Sequence, residues 1–334
     1  VLGSVGQITP IAATIPLDIS GLSIGNNLIT INNLTDNNGV TTPLNQLPSP
    51  INITVNSNPI IDFTTLTPEI CYDDPATLDF VFSSGTPPFQ VDYSINSSNQ
   101  TPITLNSPGS QQYTIVPSPN VGLNSYDVIK VSDGNGCENL PTNTNATILV
   151  NPTPNVNITV SGPNPICEGE SSELFFPVLS GTPPFSVDFL ANGVSNTANI
   201  DATGNLTSGG AMIISPNNTT DYSLTKVTDS KGCSNILSNG ATLSVNEVPD
   251  VIVSGDTEIC NLEKTPIYFT FTSGSSPWTL TYFTGSSSNS ITLYNTSDTL
   301  IVDPNLTTSY NFTEINDNNC SSQINQNTTI TVNP

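Results

Sequence analysis

The sequence SGTPPFQVDY at Ser84–Tyr93 returns as SGTPPFSVDF at Ser180–Phe189, and a divergent copy, SGSSPWTLTY, occupies Ser273–Tyr282. An active site is normally built once in a domain, whereas a structural corner is rebuilt in every copy of a repeated unit. The glycine allows an unusual backbone and the prolines stiffen it. We therefore interpret the stretch as a corner that places one aromatic residue per copy in a hydrophobic core: Phe89, Phe185 and Trp278. The alternative is a row of exposed aromatic residues that bind a ligand.

Cysteine residues frame each copy of the corner. The first cysteine of a copy follows an isoleucine, and the second closes a turn that begins with aspartate, as in SDGNGC, TDSKGC and NDNNC. The two cysteines lie 66, 66 and 60 residues apart in the three copies. This pattern predicts three units, residues 59–152, 153–248 and 249–334. Residues 1–58 match only the C-terminal half of a unit, with Val40 in place of the second cysteine, which predicts an incomplete or strand-complemented sandwich.

The residue pattern inside a unit is typical of β-strands. Runs such as Thr77–Phe82 and Phe185–Leu190 are rich in β-branched and aromatic residues or alternate in polarity, and turn signals recur about every ten residues. The predicted fold class is all-β, with tandem immunoglobulin-like antiparallel β-sandwich repeats. The junctions that contain Pro59, Pro152 and Pro249 are too short for free tumbling, so we expect the repeats to form a rod, as beads on a string.

Six cysteines allow fifteen connectivities, and the repeat favours one of them. We predict one disulfide within each unit: Cys71–Cys137, Cys167–Cys233 and Cys260–Cys320. Disulfides persist in oxidising compartments, so this prediction places the chain outside the cytoplasm, in the extracellular space or on a cell surface.

The composition excludes several classes of function. Four lysines and arginines stand against 27 aspartates and glutamates, and there is no histidine. Without a basic surface the chain is not expected to bind nucleic acid, and no apolar run is long enough for membrane insertion. Histidine-based acid–base catalysis and Ser-His-Asp triads are impossible. Because the acidic residues recur in every copy, whereas catalytic chemistry normally breaks the symmetry of a repeat, we predict that the protein is not an enzyme.

The recurring turn aspartates are the best candidates for a metal site. Oxygen-rich turns bind calcium, which makes Asp133, Asp229 and Asp317 weak calcium candidates. Asp-x-Asn-Gly is also ordinary turn chemistry, and no EF-hand loop is present in the sequence. We favour the turn interpretation and predict no cofactor, with calcium at these aspartates as the alternative.

The corner, followed by Y-x-[VL]-x-x-V-[ST]-D-x-x-G-C and T-[IL]-x-V-N, resembles the immunoglobulin-like repeats of SprB-like gliding adhesins over most of residues 59–334. These are very large surface proteins of bacteria that use the type IX secretion system. The resemblance implies a secreted cell-surface filament that holds adhesive parts away from the cell, with a role in gliding motility. It implies neighbouring repeats or subunits as partners, and surface glycans or a substratum beyond them.

Two further expectations concern a glycosylation site and an alternative function. The tripeptide Asp298-Thr299-Leu300 is similar to the O-glycosylation site of the same bacterial group, which makes Thr299 a glycosylation candidate. The alternative function is a glycan- or receptor-binding β-sandwich module, whose end loops would recognise the ligand.

Overall fold

A computed structural model describes residues 16–36, 38–115, 120–142 and 144–334. Strands dominate this part of the chain, and its one helical element is a short 3₁₀ turn at Leu44–Gln46. No helix among the described residues has the length and apolarity needed to cross a bilayer. The chain divides into two compact units, Val1–Asn151 and Pro152–Pro334, which are described separately below.

The described part of residues 1–58 contains one antiparallel hairpin. Its strands are β1 (Gly25–Ile29) and β2 (Ile51–Val55), and Gly25 lies opposite Val55. Large apolar side chains on this hairpin are exposed, including Leu28 at 67% and Ile51 at 58%. Ile51 lies opposite Ile29, on the face that corresponds to the core face of sandwich one, so on that face the hairpin presents apolar surface that a complete sandwich would cover.

Sandwich one follows in the same unit and has two sheets. The smaller sheet has the order β3-β5-β9, and the larger has the order β4-β12-β10-β6-β7, with β11 beside β10 and β8 beside β6. The strands are β3 (Ile60–Thr65), β4 (Glu69–Cys71), β5 (Ala76–Ser84), β6 (Phe89–Ile95), β7 (Ser98–Asn99), β8 (Ile103–Leu105), β9 (Gly109–Ile115), β10 (Gly122–Ser132), β11 (Glu138–Asn139) and β12 (Asn145–Asn151).

Sandwich two opens the second unit and repeats this plan with a broken smaller sheet. Pro177 has no N–H to donate, and it lies between β16 and β17, where the strand is interrupted. The strands are β13 (Asn155–Val156), β14 (Thr159–Val160), β15 (Ile166–Cys167), β16 (Ser172–Phe175), β17 (Val178–Ser180), β18 (Phe185–Ala191), β19 (Val194–Ile200), β20 (Met212–Ile214), β21 (Thr220–Asp229), β22 (Ser234–Ile236), β23 (Gly240–Leu243) and β24 (Val245–Asn246).

Sandwich three completes the second unit with a continuous pair of sheets, ordered β25-β27-β30 and β26-β32-β31-β28-β29. In each sandwich the strand that carries the first cysteine runs parallel to the last strand, and the other pairings are antiparallel. The strands are β25 (Asp250–Ser254), β26 (Thr257–Cys260), β27 (Thr265–Ser273), β28 (Trp278–Thr284), β29 (Ser287–Leu293), β30 (Ser297–Val302), β31 (Thr308–Asn316) and β32 (Ser321–Asn333).

Each sandwich has its own hydrophobic core between its two layers of strands. The three cores draw on residues 61–150, 156–243 and 251–330, so each lies inside one predicted unit. The predicted fold class, all-β with immunoglobulin-like antiparallel β-sandwiches, is confirmed.

The aromatic residue of each corner is a core residue, as predicted. Phe89, Phe185 and Trp278 are 0%, 2% and 4% exposed. Phe89 stacks on Phe82 with ring centroids 3.9 Å apart, and Trp278 stacks on Phe271 at 4.3 Å. Burying a flat ring between the sheets removes a large apolar area from water, so the corner contributes to folding rather than to ligand binding.

Candidate functional site: the cysteine junction

The first cysteine of each sandwich lies where the chain leaves that sandwich. Strand β15 runs parallel to β24, with Ile166 beside Val245 and Cys167 beside Asn246. The ladder continues past the cysteine, because the N–H of Glu168 donates to the carbonyl oxygen of Asn246 at 2.9 Å. Strand β26 pairs with β32 in the same way and sets Cys260 beside Asn333. Cys167 and Cys260 therefore stand at the exit ends of sandwiches two and three.

The second cysteine lies at the opposite end, in a turn capped by aspartate. In sandwich two, Asp229 Oδ1 accepts hydrogen bonds from the N–H groups of Lys231 and Cys233, both at 3.0 Å. Its Oδ2 accepts from the N–H of Thr182 in the corner, also at 3.0 Å. The corresponding contacts recur around Asp133 and Asp317. The aspartate thus fastens the cysteine turn to the corner.

The corner in turn holds the segment by which the chain enters the sandwich. Its serine hydroxyl donates to a carbonyl of that segment, from Ser84 to Asn58, from Ser180 to Thr153 and from Ser273 to Val248. These three bonds measure 2.5, 2.7 and 2.6 Å. Corner, aspartate turn and entering segment therefore form one assembly at the entry end.

A disulfide joins sandwich two to sandwich three. Cys167, at the exit of sandwich two, is bonded to Cys320, in the aspartate turn of sandwich three, with Cα atoms 5.8 Å apart. Around this bond, Cys167 Sγ lies 3.5 Å from the carbonyl oxygen of Asn319, and Cys320 Sγ lies 3.9 Å from that of Asn246. The site is a covalent junction between successive sandwiches.

The predicted pairing within units is therefore wrong. Cys167 bonds Cys320 rather than Cys233, and Cys137 and Cys260 are free thiols, which excludes Cys71–Cys137 and Cys260–Cys320. Cys71 and Cys233 are disulfide-bonded, so four of the six predicted residues are oxidised. The physical reason is distance: the two cysteines of one sandwich lie at its opposite ends, and a disulfide requires Cα atoms within about 7 Å.

Replacing Cys167 with serine is expected to destabilise sandwich three, although the residue belongs to sandwich two. Loss of the junction should cost about 3 kcal/mol, because the unfolded chain regains the entropy that the cross-link removed. Trp278 is the only tryptophan and is buried, so its fluorescence reports the denaturant unfolding of sandwich three. Cys320→Ser should lower the midpoint similarly, whereas Cys260→Ser, which removes a free thiol, should leave it unchanged. An equal response to Cys167→Ser and Cys260→Ser would contradict the junction.

The turn aspartates have their carboxylate oxygens committed to backbone donors. Asp133 and Asp229 are 7% and 5% exposed, and in all three turns both oxygens accept N–H groups. No cluster of three or more carboxylate, thiol or imidazole ligands occurs in the described part of the chain. The contacts observed are those of the turn interpretation, and calcium binding at these residues stays a prediction.

Asp317, in the aspartate turn of sandwich three, has a lowered pKa. Partial burial works to raise its pKa, but the N–H groups of Cys320, Ser275 and Asn319 outweigh this and hold the pKa below its ordinary value of 3.8. The hydrogen bonds favour the charged form, since a carboxylate accepts several N–H donors better than a neutral acid does. The charged carboxylate is therefore the form that secures the turn beside Cys320.

Sandwich three is expected to lose stability on acidification. A carboxyl group whose pKa is lowered by folding stabilises the native state above its ordinary pKa, and this contribution is lost as the pH falls through the lowered value. Asp256 and Asp298 in the same sandwich have lowered pKa values, chiefly through the N–H groups of Thr329 and Thr299 respectively. Asp317→Asn should therefore reduce, without abolishing, the fall in the Trp278 unfolding midpoint below about pH 4. An unchanged pH dependence in the variant would count against this role.

A glutamate shortly after the exit cysteine binds the backbone of that cysteine in sandwiches two and three. Glu170 Oε2 accepts the N–H of Cys167, and Glu263 Oε2 accepts the N–H of Cys260, both at 2.9 Å. The sequence signal for this contact is a glutamate three residues after each of these two cysteines. Sandwich one lacks it, since Asp74 occupies the corresponding position.

Thr299 lies apart from the junction, on the edge strand of the smaller sheet of sandwich three. Strand β30 pairs only with β27 among the described strands, and Thr299 is exposed opposite Tyr268. The hydroxyl is thus accessible on the outer face, and its glycosylation stays a prediction.

No protein-family model and no curated protein matches the chain. Among solved structures, it is similar to the full ectodomain (Ig1–Ig3) of mouse nectin-like molecule 4, at 13% identity and a TM-score of 0.35, over 79% of this chain and 96% of that one. A marsupial T cell receptor follows at 11% and 0.33, over 78% and 99%. Escherichia coli alpha-2-macroglobulin activated by porcine elastase is similar at 10% and 0.27, over 90% of this chain and 35% of that one, so the chain spans about a third of its length. These likenesses carry no argument about function.

Proposed function

We propose that this chain is a structural segment of a secreted cell-surface adhesin, a stalk or filament built from sandwiches linked end to end. The observation that carries the proposal is the disulfide between Cys167 and Cys320, which joins the exit of one sandwich to the entry assembly of the next. Such a bond restricts the motion of one sandwich against its neighbour, which is the property a stalk needs. A ligand-binding domain has no need of a covalent bond to the next sandwich.

An extracellular location is supported by the oxidised cysteines. Cys71, Cys167, Cys233 and Cys320 are disulfide-bonded, and such bonds are rare where cellular thiol systems keep cysteines reduced. The net charge of −23 and the many neutral polar side chains keep separate stalks from associating. Neighbouring repeats or subunits are the proposed partners, and surface glycans or a substratum would be contacted by other parts of the assembly.

The finer assignment depends on the sequence resemblance. The corner and aspartate-turn motifs support a place among SprB-like gliding adhesins, with export through type IX secretion and a role in gliding motility. Glycosylation at Thr299 belongs to the same proposal. We propose no catalytic activity and no required cofactor, because the recurring acidic residues of the turns serve as backbone acceptors.

Small-angle X-ray scattering of the oxidised chain tests the stalk proposal. A rod of sandwiches should have a radius of gyration well above the roughly 20 Å expected for a single globule of this length. The distance distribution should be long and asymmetric. A compact particle with a radius of gyration near the globular value would contradict a stalk.

A glycan-binding module is the second candidate, and one cleft favours it. The cleft lies on sandwich two and is lined by Phe189, Tyr222, Met212, Asn192 and Asn196, among others. Phe189 and Tyr222 are 2% and 5% exposed, so their rings are largely covered, and the amide groups of Asn192 and Asn196 are the groups suited to hydrogen bond the hydroxyls of a sugar. A glycan array probed with the intact chain separates the two functions, because a stalk should bind no glycan. Binding that is lost in Asn196→Ala would favour the module.

A further inference from the structure

The free thiol of Cys260 occupies the position that is bonded in sandwich two. Like Cys167, it ends a strand parallel to the last strand of its sandwich and lies beside an asparagine. The following N–H groups, of Glu168 and Asn261, donate to the carbonyls of Asn246 and Asn333 at 2.9 and 3.1 Å. A glutamate three residues on accepts the cysteine N–H in both places. Cys260 thus has the backbone setting of a junction cysteine, but its thiol is free and exposed.

The other free thiol, Cys137, occupies the complementary half of such a junction. It lies in the aspartate turn of sandwich one, where Asp133 Oδ1 accepts its N–H at 2.9 Å, as Asp317 Oδ1 accepts that of Cys320 at 2.7 Å. Cys260, at the exit of a sandwich, and Cys137, in an aspartate turn, are thus both without a disulfide partner in this chain. In the junction between sandwiches two and three, an exit cysteine and a turn cysteine are bonded to each other.

We propose that Cys260 is a linking site for a further sandwich of the same kind, whose aspartate turn supplies the second cysteine. Cys137 is the matching acceptor for the exit cysteine of another such sandwich. The exit end of sandwich three also presents Leu262, 79% exposed, beside the thiol, and docking of an entry assembly would cover it. This proposal goes beyond the stalk function because it identifies the residues that link the chain to other sandwiches. It does not depend on the function of the whole assembly.

The hairpin of residues 16–58 shows where such a link cannot form. Its turn has the same backbone contacts, since Asp36 Oδ1 accepts the N–H groups of Asn38 and Val40 at 2.9 and 2.8 Å. Val40 stands where the other turns have cysteine. A preceding exit cysteine would find no thiol there, so linking is specific to turns that end in cysteine.

The linking step is a thiol–disulfide exchange with a small-molecule disulfide as oxidant. The Cys260 thiolate attacks one sulfur of that disulfide and releases one small thiolate, which leaves a mixed disulfide on Cys260. The turn cysteine, as thiolate, then attacks Cys260 Sγ and releases the second small thiolate. Two protein thiols are oxidised to one protein disulfide, the small disulfide is reduced to two thiols, and the protons lost by the protein are taken up by the released thiolates.

An extended chain tests the proposal within one polypeptide. Asn333-Pro334 corresponds to Asn151-Pro152, so residues 153–334 can be appended directly after Pro334 with the natural junction preserved. After refolding with oxidised and reduced glutathione, non-reducing peptide mapping should find Cys260 of the first copy bonded to Cys233 of the appended copy. The bond between Cys167 and Cys320 within the appended copy reports that this copy has folded. If that bond forms while the first Cys260 stays free, the proposal is overturned.

Two further samples provide a control and test whether the partner sandwich belongs to the same polypeptide or to a second molecule. Replacing the appended Cys233 with serine should return the first Cys260 to the free state, with the other bonds unchanged. Incubating the original chain with the same glutathione mixture tests linkage between copies. A Cys260–Cys137 cross-link between copies, absent in Cys260→Ser, would identify a second molecule as a competent partner. Linkage in the extended chain alone would restrict the partner to a following sandwich of the same polypeptide.

Discussion

Replacing Asp229 with alanine is expected to destabilise sandwich two by about 4 kcal/mol. The carboxylate is 5% exposed and accepts three backbone N–H groups, two from its own turn and one from Thr182 in the corner. Hydrogen bonds to a charged group are each worth about 1.5–3 kcal/mol, and donors left buried without an acceptor add a desolvation cost. The turn and the corner would separate, so the entry assembly should open before the rest of the sandwich.

Hydrogen exchange measured by mass spectrometry on the intact chain is the appropriate readout, because it resolves one sandwich from another. Protection in β18 and β21 should fall strongly, while peptides of sandwich three serve as an internal reference. Asp221→Ala is the matched control, since Asp221 lies on the same strand but is exposed. Equal loss of protection in the two variants would show that the buried contacts of Asp229 are not what holds the turn.

Gly181→Ala is expected to be of similar severity, at about 4 kcal/mol, for a different reason. Gly181 has φ +109°, and a Cβ there would lie 2.6 Å from Cε1 of Phe185 and 2.9 Å from Cα of Pro154. Either the core ring or the entering segment must move, and overpacking of this kind costs about 1–3 kcal/mol beyond the backbone strain of about 1–2 kcal/mol. Exchange protection around β18 should decrease accordingly.

Gly193→Ala separates backbone strain from the clash. Gly193 lies in the turn after β18 with φ +83°, and nothing lies within 4 Å of its Cβ position. This variant should lose only about 1 kcal/mol, the cost of an L-residue in a left-handed conformation. If the two glycine variants were equally stable, close packing of the corner against the entering segment would not be the constraint on Gly181.

The sequence was sufficient to predict the sandwiches because several local signals agreed. Alternation in Phe185–Leu190, the aromatic residue after the prolines and the aspartate turn each pointed to the same architecture, and β18 begins at Phe185. In the first hairpin Gly25 pairs with Val55 as Gly122 pairs with Val150 in sandwich one, and the half-unit itself stays a prediction. Signals of this kind depend on neighbours in sequence, so one chain is enough to recognise them.

The connectivity of the cysteines was not predictable in the same way. Cysteines that recur at similar intervals are equally compatible with a bond inside each unit and a bond from one unit to the next. The choice depends on which end of the sandwich each cysteine occupies. That is fixed by the parallel pairing of β15 with β24, a contact between residues far apart in sequence. The role of Asp229 as a three-way acceptor depends in the same way on its distance from Thr182 in the folded chain.

The bond between Cys167 and Cys320 also determines how the chain responds to tension. The two cysteines are 153 residues apart, and a pull on the ends of this unit passes through the sulfur atoms instead of through the polypeptide between them. A fully extended residue spans about 3.4 Å, so the 153 residues between the cysteines would add about 500 Å to the end-to-end length if both sandwiches unfolded. The disulfide prevents this extension. Only the short segments outside the bond can extend. Under tension the unit should therefore keep a nearly fixed end-to-end length. The force needed to lengthen it further is the force that breaks a covalent bond, rather than the force that separates hydrogen-bonded strands.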